Sequence, residues 1–99
     1  ADLQRPGHVF PLRVQRGGTL ARPGHTEAAA DLATLAGLGR AGLLAEVVRD
    51  DGSVARLPDL RAMARDTGMT LTSVQDIIAF RCEEEEKRRA AVAAAAAAA

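Results

Sequence analysis

The sequence predicts a mixed α and β layered domain, a β-sheet flanked by helices. Three observations predict it. Phe10, Leu12 and Val14 alternate with other residues ahead of Gly17-Gly18, the period-2 pattern of a strand. Residues 41–48 form a compact apolar run broken only by Glu46, the mark of a buried strand. Between and after these lie three stretches with helical spacing. Strands alternating with helices over so short a length point to layers packed on one core.

The elements follow in order. Gly17-Gly18 offers the positive backbone angles of a tight hairpin turn, with Thr19-Leu20-Ala21 as the returning strand. Pro23-Gly24 breaks that strand, Thr26 is placed to cap, and Glu27, Ala28, Leu32, Leu35 and Ala36 describe a helix of about three turns that stops at Gly37. After the apolar run, Asp50-Asp51-Gly52 is a turn signal before Val54-Ala55. Pro58 suits the first turn of a helix over 58–67, where Leu60, Met63 and Ala64 share a face and Gly68 marks the stop. Residues 69–72 form a short strand candidate. Ser73 and Asp76 then have capping-box spacing ahead of Val74, Ile77, Ile78 and Phe80. Glu83 with Lys87, Glu84 with Arg88 and Glu85 with Arg89 are pairs four residues apart, so this third helix is expected to continue as a solvated extension.

A chain of 99 residues is enough for one domain and one core. Thirteen basic and thirteen acidic residues cancel, so no electrostatic footprint marks nucleic acid or an anionic membrane as partner. The longest apolar run, residues 90–99 with its alanine tail from Ala93 to Ala99, falls far short of the roughly 20 residues that span a bilayer. The lone Cys82 builds no internal disulfide framework, which fits a reducing compartment, cytoplasmic or an organelle matrix. Phe10 and Phe80 are the only aromatic residues, leaving a core of Leu, Val, Ile and Ala. That is thin for a self-sufficient domain. The start at Ala1 without methionine and the terminal alanines suggest a piece of something longer.

One tetrapeptide occurs twice, as Arg5-Pro6-Gly7-His8 and Arg22-Pro23-Gly24-His25, and holds both histidines. Pro-Gly is also ordinary turn punctuation, which is the plainer account. The second copy has more chemistry in it. Gly24 allows close approach to backbone, Thr26 stands at a helix start where open amides and the dipole favour an anion, and Arg22 adds a forked charge-assisted donor. Together they make a candidate phosphate cradle. His25 beside it offers a ring nitrogen to a metal, but one histidine is not a metal site. Glu46 in its apolar run is either an inward partner for Arg40 or Arg56 or a general acid or base.

These residues resemble a known family. Residues 5–12, Gly17-Gly18, residues 22–29, Ala41-Gly42, Glu46, Asp50-Asp51-Gly52 and residues 55–58 match, in order and spacing, the C-terminal half of 3,4-dihydroxy-2-butanone 4-phosphate synthase. The resemblance implies a lyase of riboflavin biosynthesis that converts D-ribulose 5-phosphate to L-3,4-dihydroxy-2-butanone 4-phosphate and formate. It implies that Arg22, Pro23, Gly24, His25 and Thr26 bind the sugar phosphate, that His25 ligates Mg²⁺ or Mn²⁺, and that His8 and Glu46 are catalytic. It further implies a homodimer, a missing N-terminal half that carries an acidic metal-binding loop, and in some relatives a fused GTP cyclohydrolase II domain. Plastid stroma joins cytoplasm as a setting.

On this basis residues 1–82 are the C-terminal half of the synthase domain and 83–99 a charged, alanine-rich extension or linker. The chain alone is expected to be inactive. Two rivals stand beside the enzyme reading: a non-catalytic interaction or regulatory remnant of the same fold, and a generic phosphate-binding domain. Joint retention of His8, His25, Thr26 and Glu46 favours the enzyme.

Overall fold

Helix spacing in the sequence translates directly into helices. The computed structural model describes residues 2–98. It contains a single 3₁₀ turn (Gly18–Leu20), α1 (His25–Leu35), α2 (Leu57–Thr67) and α3 (Val74–Ala98). The starts of α2 and α3 and the stop of α2 are set by nearby residues. Ser73 Oγ accepts the Asp76 N–H at 3.1 Å ahead of α3, the half of a capping box that the Ser-x-x-Asp spacing foretold. Asp59 accepts the Arg56 N–H at 2.9 Å at the start of α2. Gly68 ends α2 with φ of 72°, a conformation that costs glycine nothing. Thr26 is not the cap of α1: Gly24, in extended conformation, holds that position without a side-chain bond, and Thr26 lies inside the first turn.

The expected β-sheet is absent, and the layered α+β fold is corrected to a helical one among the described residues. Gly17 and Gly18 do take positive φ, 94° and 61°. They lead into the 3₁₀ turn instead of a returning strand, because the amides that would pair back are used elsewhere. Thr19 N–H goes to Asp31, and the Ala21 and Arg22 amides close on the Gly18 carbonyl at 3.1 and 3.0 Å. Residues 10–14 are left extended and unpaired, with Phe10 73% exposed. Residues 41–47 are likewise irregular, and Leu43 is 86% exposed. The one β-pairing is an isolated antiparallel bridge from Val48 to Val54 around Asp50-Asp51-Gly52. Asp51 fixes that turn by accepting Ser53 N–H at 2.9 Å and Ser53 Oγ at 2.6 Å, an Asx-type turn as the residues suggested. Residues 69–73 are irregular, not a strand.

Packing converges on one place. The 3₁₀ turn, α1 and α3 contact one another, burying Ala28, Ala30 and Ile77 with Gly18, Thr19 and Glu27. α2 buries no residue completely. The radius of gyration is 17.9 Å, against about 13 Å for a compact chain of this length. So small a core leaves most large apolar side chains in solvent, Leu3, Val9, Leu12, Leu38 and Val92 among them. No helix among the described residues is long and apolar enough to cross a membrane.

Candidate functional site

The site is built on the first turn of α1. Other parts of the chain meet α1 there because two carboxylates, Glu27 and Asp31, lie four residues apart on one face of the helix and each draws in a backbone amide and an arginine. Glu27 is the less exposed, at 2%. Its Oε2 accepts the Gln15 N–H at 3.0 Å, tying the extended segment before the 3₁₀ turn to α1. Its Oε1 receives Arg22 Nη1 at 2.5 Å. The Gln15 amide first, and the Arg22 guanidinium second, hold the Glu27 carboxyl below its ordinary value despite some desolvation. A buried charge so satisfied is tolerable.

Gly24 is essential to that contact in a way its backbone angles do not reveal. Its φ of −109° suits any residue. A Cβ there would collide with the Arg22 guanidinium and sit 2.6 Å from Glu27 Oε1. The arginine therefore crosses directly over the glycine. No side chain caps α1, so its first amides stay open to an anion. Arg22, Thr26 and Glu27, with Leu12, Arg13 and Gln15, line a depression of about 370 Å³.

Asp31 anchors the other end. Burial raises its carboxyl, but Thr19 Oγ1 at 2.5 Å, Thr19 N–H at 2.9 Å and Arg81 at 3.0 Å outweigh it, and the carboxyl is held below its ordinary value. Arg81 also donates to the Gly17 carbonyl at 2.7 Å, which fastens α3 to the glycine turn.

The predicted site residues are distributed as follows. Arg22, Pro23, Gly24, His25 and Thr26 are contiguous at the α1 N-terminus, with His25 exposed and Thr26 half-buried. His8 lines a groove of about 810 Å³ whose walls include Phe10, Leu12, Thr26 and residues 40–45. Thr26 thus lines both the groove and the depression beside Arg22. Glu46 follows directly on Ala45 at the groove's edge and is exposed, as is the whole of 41–48. Glu46 therefore carries no burial cost among the described residues. Nor does Glu46 pair with Arg40 or Arg56: the ion pairs of the described residues use Glu27, Asp31, Asp59 and the acidic residues of α3. Asp59 instead pairs with Arg49 at 2.7 Å.

No group of three metal-ligating side chains forms among the described residues. His25 has Glu27 two residues away, but both oxygens of that carboxylate are already committed. The residues present do not by themselves fit a divalent cation. Sequence reasoning missed Glu27, Thr19, Asp31 and Arg81 as site-building groups. The spacing of Glu27 and Asp31 was the available signal.

The sequence profile of 3,4-dihydroxy-2-butanone 4-phosphate synthase matches residues 1–80. This chain belongs to that family. The 3,4-dihydroxy-2-butanone 4-phosphate synthase of Sodalis glossinidius is 56% identical over 80 residues, covering 81% of this chain and 37% of the relative. That of Mannheimia succiniciproducens is 53% identical over 81 residues, 82% of this chain and 38% of the relative. The riboflavin biosynthesis protein RibBA of Salinispora arenicola is 54% identical over 81 residues, which make up 19% of its length. Among solved structures, RibBX, a two-domain 3,4-dihydroxy-2-butanone 4-phosphate synthase from A. baumannii, superposes with a TM-score of 0.72 at 47% identity, over 77% of this chain and 23% of that one. The chain spans less than two fifths of the length of the Sodalis and Mannheimia relatives.

Proposed function

We propose that this chain contributes the C-terminal part of a synthase domain that converts D-ribulose 5-phosphate to L-3,4-dihydroxy-2-butanone 4-phosphate and formate. Support comes from family membership over residues 1–80 and from one structural observation: an uncapped helix start flanked by an exposed, anchored arginine. That arrangement suits a phosphate monoester. Arg22 and the amides of residues 25–27 hold the phosphate, with Gly24 leaving room for the arginine and Thr26 placing its hydroxyl between cradle and groove. His8 and Glu46 serve as acid–base groups for the carbon chain lying in the groove.

His25 supplies this chain's single ligand to Mg²⁺ or Mn²⁺, the remaining ligands coming from outside the chain, and no step is derived through the ion. Residues 1–82 form the domain part and residues 83–99 the extension. A second subunit and a following GTP cyclohydrolase II domain belong to the same proposal. RibBA and the two-domain RibBX, whose chains extend well beyond the matched region, are consistent with such an arrangement.

The test is formate release from ribulose 5-phosphate by the full-length gene product and by the 99 residues alone. Release by the former and none by the latter is expected. A full-length product that is folded and makes no formate overturns the assignment.

A further inference from the structure

Glu27 is the most buried charged side chain of the described residues, and it sits inside the phosphate cradle without pointing at a ligand. We infer that Glu27 is a positioning residue: it holds the Arg22 guanidinium over Gly24 and so presents the free edge of that fork to a phosphate at the α1 N-terminus. The inference rests on reading 22–26 as the phosphate loop, and it adds a residue outside that loop's assigned set.

Three observations carry it. Glu27 divides its oxygens, one fixing the Gln15 amide and one fixing Arg22 Nη1, so its own position is determined before the arginine arrives. Arg22 remains 61% exposed although it is paired, and its pairing engages Nη1, leaving Nε and Nη2 for an oxyanion. The space above Gly24 is taken by the guanidinium and the carboxylate, since a Cβ there would strike both partners. An arginine held on one side loses less freedom when it binds on the other.

Charge alone predicts the opposite result. A carboxylate beside the cradle repels phosphate, so neutralising it should tighten binding if Coulomb attraction governs. If orientation governs, neutralising it releases Arg22 and binding weakens. Glu27→Gln keeps size and an acceptor for Gln15 N–H, and separates the two accounts.

The experiment uses the full-length gene product as wild type, Glu27→Gln, Arg22→Ala and the double variant. Equilibrium binding of inorganic phosphate is measured alongside KM and kcat for ribulose 5-phosphate and thermal unfolding. Glu27→Gln is expected to weaken phosphate binding and raise KM by about tenfold with kcat within about twofold. In the Arg22→Ala background it should add less than about twofold. Tighter or unchanged phosphate binding, an equal loss in both backgrounds, or indifference of phosphate binding to Arg22→Ala each overturns the inference. If Glu27→Gln does not fold, Gly24→Ala displaces the same pair by collision while leaving both residues chemically unchanged. Phosphate affinity equal to wild type in that variant overturns the inference as well. Phosphate binding that depends on Arg22 and Glu27 without formate release sinks the lyase assignment and leaves this inference standing.

Discussion

Glu27 and Asp31 are the same device used for two purposes. Each is a carboxylate on one face of α1, each accepts a backbone amide from the segment before the helix, and each pairs with an arginine that lies over a glycine. The arginines differ. Arg81 spends its donors on Asp31 and the Gly17 carbonyl, lies within 3.8 Å of Glu85, and is 21% exposed. Arg22 has Glu27 and is 61% exposed. A fork consumed inside the protein is a staple, whereas a fork held by one prong is a binding group. The glycines differ in parallel: Gly18 needs its positive φ as well as its missing side chain, and Gly24 needs only the latter.

The sharpest way to break this comparison is to add one methyl group at each glycine. Gly18→Ala combines backbone strain with collision against Asp31 and Arg81, and should destabilise the fold by about 3 kcal/mol or more. Gly24→Ala should cost far less stability and weaken phosphate binding instead. Thermal unfolding and phosphate titration of the two variants check this, and equal unfolding losses would erase the distinction. Asp31→Asn comes next: it leaves Arg81 with a weaker partner and should cost about 2 kcal/mol of stability with phosphate affinity unchanged. Arg22→Ala should shift that balance, with an affinity loss of about tenfold and a smaller fall in unfolding midpoint than Asp31→Asn, since the Gln15 amide still serves Glu27. A change below about threefold would remove Arg22 from the cradle.

The smallest expected effect is common to both carboxylates. Their folded values lie below the ordinary ones, so the unfolded chain binds protons more readily. The stabilisation they give is complete above the ordinary carboxylate range and is lost as pH falls through the folded values. Unfolding free energy should be flat above about pH 5 and decline below about pH 4. Asp31→Asn should blunt that decline, as followed by denaturant titration across pH.

What was legible in the sequence was what neighbours decide. The stop at Gly68, the Asp51 turn, the Ser73 start of α3 and the pairing of Glu83 with Lys87 at 2.9 Å depend on residues within four positions of one another. That residues 22–26 lie at a helix start was legible for the same reason. The strands were not, because alternation at Phe10, Leu12 and Val14 says that a segment can pair but not that a partner stands beside it. Here Thr19 gives its amide to Asp31 and the pairing never starts. Arg81 was hidden by distance: fifty residues separate it from Asp31, and no local pattern reports which arginine a buried carboxylate will choose. Burial of Glu46 was not legible, since an apolar run need not be a buried one and residues 41–48 are exposed.

Past Glu85 every described residue of α3 is exposed, so the helix leaves its anchor at Arg81 and stands clear of the body as far as Ala98. At 1.5 Å per residue that overhang is about 25 Å long. It behaves as a lever whose fulcrum is a pair of hydrogen bonds beside the glycine turn. A rocking of about 10° at Arg81 would sweep the far end through roughly 4 Å, by the same rise per residue. The salt links along the shaft, Lys87 with Glu83 and Glu84 and Arg89 with Glu85, stiffen the stretch nearest the pivot. Mechanical play in that corner of the molecule is thus delivered, magnified, to the tip.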